Sequence, residues 1–168
     1  MSEKPNLSIR KKNRLSSWDY RSHGAYFITI CTQNQVQSLC SIVGDGLPVP
    51  KPAWNIAEHY IRQIPLKYPN IQVQKYVIMP NHIHLLLFVN ELNGAGTQKS
   101  SVSDVIAWYK YQVTKTVNQD SGTISKRFFQ RSFHDHVIRN ERDYQRIWEY
   151  IENNPGRWNE DCFFAEQI

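Results

Sequence analysis

The chain has few cysteines, and their arrangement excludes two classes of small protein. Cys31, Cys40 and Cys162 are three in number and widely spaced. Such a set has neither the paired spacing of a zinc site nor the framework of a disulfide-stabilised secreted domain. We therefore expect a protein of the reducing cytoplasm.

The chain also lacks a long apolar run. Its start, MSEKPNLSIRKKNR, is polar and has no apolar segment of the kind found in signal peptides. No stretch approaches the roughly 20 apolar residues that a membrane-spanning helix requires. The sequence predicts no membrane partner, and it contains no visible internal repeat.

The composition indicates a folded domain. The chain has 168 residues, of which 40% are hydrophobic and 12% aromatic, and these values argue against disorder. A chain of this length can bury one core. We predict a basic N-terminal arm over residues 1–24, a single folded domain over 25–158 and a C-terminal tail over 159–168.

A moderate excess of positive charge suggests a nucleic-acid partner. The formal net charge is +5, and the isoelectric point is near 9.1. Cations neutralise phosphates, and exposed rings stack on unpaired bases. The alternative is an ordinary solvated tail. Part of the charge lies in four residues of the arm, Arg10, Lys11, Lys12 and Arg14.

Hydrophobic periodicity predicts five strands and three helices. The strands are expected at residues 25–32, 38–43, 71–79, 82–89 and 128–139, and the helices at 54–68, 104–117 and 141–153. Pro48, Pro50 and Pro52 should keep the segment before the first helix extended, and Pro65 should end or bend that helix. Ser103 and Asp104 are the predicted cap of the second helix.

The order β-β-α-β-β-α-β-α predicts an α+β protein. An antiparallel sheet with helices packed on it, of the ferredoxin-like or RRM-like kind, is the expected architecture. Segment 82–89, HIHLLLFV, is the most apolar strand and is expected at the centre of the sheet.

His82-Ile83-His84 is the first candidate for chemistry. Alternate residues of a strand share a face, so both imidazoles can converge on one ion while Ile83 points away. Two polar rings beside an apolar run also need partners. Spacing alone leaves ordinary hydrogen-bonded histidines as an alternative to metal ligands.

Tyr150 and Asn154 are the second candidate. Their i, i+4 spacing places them on one helix face if the last turn extends that far. A tyrosine hydroxyl is a poor nucleophile near neutral pH, but it becomes useful when a metal polarises the phosphate that it attacks. The asparagine could offer a neutral oxygen ligand, although most helical tyrosines simply pack against a sheet.

Other residues are weaker candidates. His134 and His136 flank an aspartate rather than a hydrophobic residue, so a DNA-binding or structural role is more typical of them. Tyr109 and Tyr111 are rival nucleophiles, but neither has a metal-ligand candidate one turn later. Basic residues that could contact phosphates are Lys110, Lys115, Lys126, Arg127 and Arg131.

Four segments carry a family resemblance: AYFITICTQNQ, YVIMPNHIHLLLF, FFQRSFHDHVIRNERDYQRI and YIENNPGRW. They resemble the REP-associated tyrosine transposases, relatives of the single-strand transposases of small insertion sequences, over nearly the whole chain from Trp18 to Trp158. The resemblance implies an HUH endonuclease fold. It assigns His82 and His84 as ligands of Mg²⁺ or Mn²⁺, Tyr150 as the nucleophile and Asn154 as the residue completing the metal site.

The resemblance also implies a reaction and a substrate. The substrate would be single-stranded DNA, with a hairpin and a short flanking tetranucleotide. Nicking would leave a 5′-phosphotyrosine and a free 3′-hydroxyl, which can rejoin DNA without a nucleotide cofactor. Relatives from insertion sequences act as dimers, so a monomer and a homodimer are both open.

Two other functions are compatible with the residues. A non-catalytic nucleic-acid-binding module would stack bases on Tyr26 and Phe27 of the sheet, and its histidines would be structural. A metal-dependent phosphoesterase would use water instead of Tyr150 and would form no covalent adduct.

Overall fold

The computed structural model describes residues 19–91 and 100–164, so the four basic residues of the arm lie outside the described part. Two short 3-10 helices, Gln33–Gln35 and Pro155–Glu160, accompany the main elements. The strands and α-helices are β1 (Gly24–Cys31), β2 (Cys40–Val43), β3 (Leu47–Pro50), α1 (Pro52–Lys67), β4 (Ile71–Ile78), β5 (His82–Val89), α2 (Val102–Asp120), β6 (His134–Ile138) and α3 (Glu141–Asn153).

Four strands form the main sheet in the order β4-β5-β1-β6, and every neighbouring pair is antiparallel. The connection β1-α1-β4-β5-α2-β6 is the ferredoxin-like split βαβ arrangement. The predicted α+β class is confirmed, and β5 lies inside the sheet as expected. Strands β2 and β3 form a separate hairpin.

Helices cover both faces of the sheet. Alternate residues of β5, Ile83 and Leu85, belong to the main core, which also contains residues of α1 and α2. Leu86, on the opposite face, packs with Ile147 and Ile151 of α3. This two-sided burial explains why β5 reads as a nearly continuous apolar run. His82 and His84 share the parity of Leu86 and therefore lie on the α3 face.

One helix boundary differs from prediction, and Pro65 does not end α1, which runs nearly to the predicted residue 68. The N-cap of α2 is Ser101 rather than Ser103, and the Ser101 hydroxyl and the Asp104 carboxylate form a reciprocal capping box. Helix α1 continues through Pro65 to Lys67. Burial of Ile61 and Ile64 in the core stabilises this last turn despite the missing N–H.

Two strand predictions also need correction. The proline-containing segment Leu47–Pro50 is a strand paired with β2, because prolines are tolerated in an edge ladder. The fifth predicted strand is much shorter than residues 128–139. Only His134–Ile138 pairs continuously with β1, while Phe129 makes an isolated bridge to Thr32.

Within the described ranges, no helix combines the length and the apolar character that crossing a bilayer demands.

Candidate active site

His82 and His84 meet at the start of β5. Their Nε2 atoms are 3.0 Å apart, and the two residues are 0% and 1% exposed. Strand β1 lies beside them, with Cys31 opposite His82 and Thr29 opposite His84. The alternation of the strand thus brings both imidazoles to one buried point.

The outer nitrogen of each imidazole is anchored by a neighbouring side chain. The Nδ1 atom of His82 lies 2.9 Å from Asn81 Oδ1, and that of His84 lies 2.8 Å from Thr29 Oγ1. The amide of Asn81 is oriented by its Nδ2, which donates to the Phe163 carbonyl. His82 therefore donates from Nδ1, and its Nε2 lone pair faces the site, an arrangement typical of metal-binding histidines.

Burial keeps both imidazoles neutral. It lowers the pKa of His82 to about 4, although the nearby carboxylate of Asp161 opposes this shift. Burial, and then the proximity of His82, lower the pKa of His84 well below its ordinary value. Neutral imidazole is the form that binds a metal, so both nitrogens are available near neutral pH.

Helix α3 brings Tyr150 to the same point. Asn140 caps the helix through its side chain, while Ile147 and Ile151 pack against the sheet. The Tyr150 hydroxyl lies 3.3 Å from His84 Nε2 and donates to Asp161 Oδ2 at 3.2 Å. Burial and then the Asp161 carboxylate raise the pKa of this phenol above its ordinary value.

Asn154 follows α3 as its C-cap and is buried. Its Nδ2 donates to Asp161 Oδ2 at 2.8 Å. Its Oδ1 is buried and has no hydrogen-bond partner among the described residues. A buried amide oxygen without a partner is unusual in a folded protein and leaves a ligand position open.

Asp161 is a site residue that the sequence analysis missed. Its side chain is 1% exposed, and Oδ2 lies 3.8 Å from His82 Nε2. The 3-10 helix Pro155–Glu160 returns the chain to the sheet, and Phe163 follows with its ring centroid 4.7 Å from that of His82. Nothing in the local sequence marks this aspartate, which the prediction placed in the tail.

These side chains fit a divalent cation. His82, His84 and Asp161 can each present one ligand atom, all within 4.8 Å of one another. Two neutral imidazoles, a carboxylate and the orphaned oxygen of Asn154 form a mixed N/O donor set. Carboxylate and amide oxygens suit Mg²⁺ and Mn²⁺, and imidazole binds several divalent metals.

The second histidine pair lies on the neighbouring strand. His134 is in register with Thr29 across β1 from His84, and its ring lies 6.0 Å from that of Phe163. His136 Nε2 contacts Asp143 Oδ2 on α3 at 2.6 Å. His136 thus connects α3 to the edge of the sheet, while His134 borders the candidate site.

The predicted basic residues divide into two groups. Lys110 is directed inward, because its ammonium group donates to the carbonyls of Gln130, Arg131 and Ser132. These contacts give Lys110 a structural role, and its predicted role as a phosphate contact stays a prediction. Lys115, Lys126, Arg127 and Arg131 are exposed on the α2 side of the molecule.

The rival residues occupy other surroundings. Tyr109 is fully buried, its hydroxyl donates to the Ala57 carbonyl, and burial raises its pKa well above the ordinary value. Tyr111 is exposed on α2. Tyr26 is fully buried in the core, and the ring of Phe27 packs on His84 and Tyr150. Tyr26 therefore offers no ring surface to a base, whereas Phe27 is only partly buried.

Comparison with known proteins agrees with this geometry. The family model described as IS200-like transposase matches residues 53–154. An uncharacterized protein of Haemophilus influenzae is 30% identical, and the match covers 99% of this chain and 100% of that protein. A second protein of that organism, assigned to the REP-associated tyrosine transposases, is 26% identical over 82% of this chain and 73% of its own length.

A solved structure has the same fold. It is a REP-associated tyrosine transposase bound to a REP hairpin, with a TM-score of 0.57 and 22% identity over 86% of this chain and 74% of that chain. The family match covers more than half of the present chain and includes His82, His84, Tyr150 and Asn154. The chain belongs to the IS200-like transposase family.

Proposed function

We propose that this protein nicks and rejoins single-stranded DNA, with Tyr150 as the nucleophile. The observation that carries the proposal is the convergence of a helix-borne phenol with two neutral histidines. The Tyr150 hydroxyl lies 3.3 Å from His84 Nε2, in a chain of the IS200-like transposase family. A tyrosine whose only role is to pack against the sheet would not need two imidazoles beside its hydroxyl.

The proposed substrate is single-stranded or hairpin DNA. A structural relative is bound to a REP hairpin, and we extend that class of ligand to this chain. Tyr150 is 40% exposed beside a cavity of about 440 Å³, which Asn154 and Arg157 also line. An unpaired strand can present a phosphate to such a cavity more easily than a stacked duplex can.

We propose Mg²⁺ or Mn²⁺ as the cofactor, held by His82 and His84 together with Asn154 or Asp161. When bound, such an ion supplies Lewis-acid polarisation of the scissile phosphate. The residues of the chain position the reacting groups. Thr29 and Asn81 hold the two imidazoles, and α3 holds the phenol beside them.

The chemical step exchanges one phosphate ester for another. The phenol oxygen of Tyr150 forms a bond to phosphorus, and the bond between phosphorus and the 3′ oxygen breaks. The phenol proton passes to the Asp161 carboxylate, which already accepts a hydrogen bond from that hydroxyl. It then returns to the leaving 3′ oxygen. The phosphotyrosine keeps the phosphate as an ester. Attack of a free 3′-hydroxyl on that phosphorus therefore reverses the step and rejoins DNA without a nucleotide cofactor.

The test is loss of a covalent adduct. Wild-type protein incubated with Mn²⁺ and single-stranded DNA from the flanks of its own gene should migrate with DNA on a denaturing gel. Tyr150→Phe should give no adduct and no nick, whereas Tyr144→Phe on the same helix should behave as wild type. The 5′ end of the downstream fragment should carry the protein.

Two outcomes would favour the alternative functions. Nicking by Tyr150→Phe would indicate a water-using phosphoesterase. Tight binding without any nick in the wild type, with either metal, would support a binding module.

A further inference from the structure

The side of the molecule that carries α2 contains two adjoining cavities. One, of about 640 Å³, lies between α2 and the segment before β6. The other, of about 420 Å³, lies between that segment and the turn after β1. Asn118, Thr123 and Arg127 line both cavities, so the two lie side by side. We call them together the α2 cleft.

The lining of the α2 cleft is positively charged. No aspartate or glutamate is among the described residues that line it. The cavity beside Tyr150 is different, because it is lined by three carboxylates as well as two arginines. A cleft lined by one sign of charge attracts a polyanion. Its cationic residues are Lys110, Lys115, Lys126, Arg127 and Arg131.

Most of these cations are directed toward solvent. Lys115, Arg127 and Arg131 are exposed, and they are absent from the ion pairs that connect described residues. Lys110 instead secures the wall of the cleft by bonding the carbonyls of residues 130–132. A wall held by backbone contacts, with guanidinium groups exposed beside it, suits a phosphate backbone.

Tyr111 adds a surface for a nucleobase. It is 63% exposed and lines the same cleft as Lys115. Exposed rings beside cations are typical of single-strand binding sites, where bases stack and phosphates pair. The hydroxyl and amide groups of Thr114, Asn118 and Thr123 provide further contacts for phosphate or sugar oxygens.

The α2 cleft reaches the end of the sheet where the histidines lie. Thr32 lines the cleft, and its N–H and hydroxyl donate to the Asn81 carbonyl at 2.9 and 3.0 Å. The side chain of Asn81 in turn holds Nδ1 of His82. These contacts place the cleft and the histidines at the same end of the sheet.

We infer that the α2 cleft binds the single-stranded DNA that flanks the cleavage site. Arg127 and its cationic neighbours contact phosphates, and Tyr111 stacks on a base. The inference rests on the proposed DNA-nicking function and adds a second contact region to it, on the opposite face of the sheet from Tyr150.

The experiment measures fluorescence anisotropy with a labelled 30-nucleotide single strand of mixed sequence, in EDTA. Arg127→Glu should weaken binding about tenfold, and the slope of log affinity against log salt should become shallower by about 0.7 for each lost phosphate contact. Lys67→Glu, with the same charge change at an exposed position of α1, should stay within twofold of wild type. Tyr111→Ala should weaken binding, and Tyr111→Phe should not.

The outcomes separate this inference from the proposed function. Equal affinity of Arg127→Glu, Lys67→Glu and wild type overturns it, even if Tyr150 nicks DNA. Tighter binding of RNA of the same sequence, with the same Arg127 dependence, overturns the assignment to DNA. If the protein never nicks DNA but its affinity still depends on Arg127, the α2 cleft keeps its assignment as a DNA-binding site. Only the proposed nicking function is then refuted. Cross-linking of iodouracil-substituted DNA to Tyr111 should identify the stacked base.

Discussion

Replacing Thr29 by valine tests the metal site without touching a proposed ligand. Thr29 is buried, and its hydroxyl lies 2.8 Å from Nδ1 of His84. Valine keeps the branched shape and removes only this polar contact. The imidazole of His84 would remain in place but lose the partner that sets its orientation and basicity. We expect the affinity for Mn²⁺ to fall while the fold persists.

The expected size of the effect follows from the role of such outer contacts. Losing a hydrogen bond to a metal-bound histidine typically weakens affinity about 10–100-fold, or about 1.4–2.7 kcal/mol. At a Mn²⁺ concentration of about 100 times the wild-type Kd, the ion should stabilise the wild type by about 2.7 kcal/mol. Under the same conditions, Thr29→Val should gain only about 0.4–1.4 kcal/mol.

Calorimetric titration and thermal unfolding give independent readings. For a chain of this size, Mn²⁺ should raise the Tm of the wild type by about 5–10 °C, and that of Thr29→Val by about 1–5 °C. Thr116→Val is the matched control, because it loses a hydroxyl contact to Tyr60 on the other face of the sheet. Equal Mn²⁺ affinity in Thr29→Val and Thr116→Val would refute the reasoning.

Two further predictions concern stability. Burial lowers the pKa of His82 in the folded chain to about 4 and lowers that of His84 as well. The unfolded chain therefore takes up protons first, and stability should be lost as the pH falls from about 6.5 to 4, with about 3 kcal/mol coming from His82 and a further loss from His84. Urea unfolding in the presence of a chelator, measured across this pH range, tests the prediction. If His82→Gln loses as much stability as the wild type, the prediction is contradicted. Lys110→Met should lower the free energy of unfolding by about 1–3 kcal/mol, because three carbonyls lose a charged donor; unchanged urea unfolding would contradict the structural role of Lys110.

The elements nearest the proposed chemistry were predictable because their signals are local. The alternation in HIHLLLFV predicts a strand with both histidines on one face, and β5 has those bounds. Helix α3 has the predicted bounds, with Asn140 as its N-cap and Pro155 soon after its end. Ser103 was a wrong choice of cap. Three serines lie in the four positions before Asp104, and Ser101, three residues before it, has the spacing and makes the hydrogen bonds of a capping box.

Asp161 and Lys110 show what local patterns leave undecided. Asp161 reaches His82 because a 3-10 turn and the buried Trp158 direct the chain back to the sheet. Lys110 resembles a phosphate-binding residue in sequence, yet its ammonium group finds three carbonyls some 20 residues away. Both outcomes depend on contacts between segments that have no common sequence signal.

The sequence by itself determined the periodic elements, the order that predicts an α+β sheet, and the two motifs that contain His82, His84, Tyr150 and Asn154. Strand alternation and helix period act over a few residues, and for that reason a pattern reveals them. Only the tertiary structure decided that the phenol lies beside the imidazoles, that Asp161 joins them, and that the cations of α2 and the following segment form one cleft. Packing sets those distances, since hydrophobic burial brings together segments far apart in the chain without regard to their polar side chains.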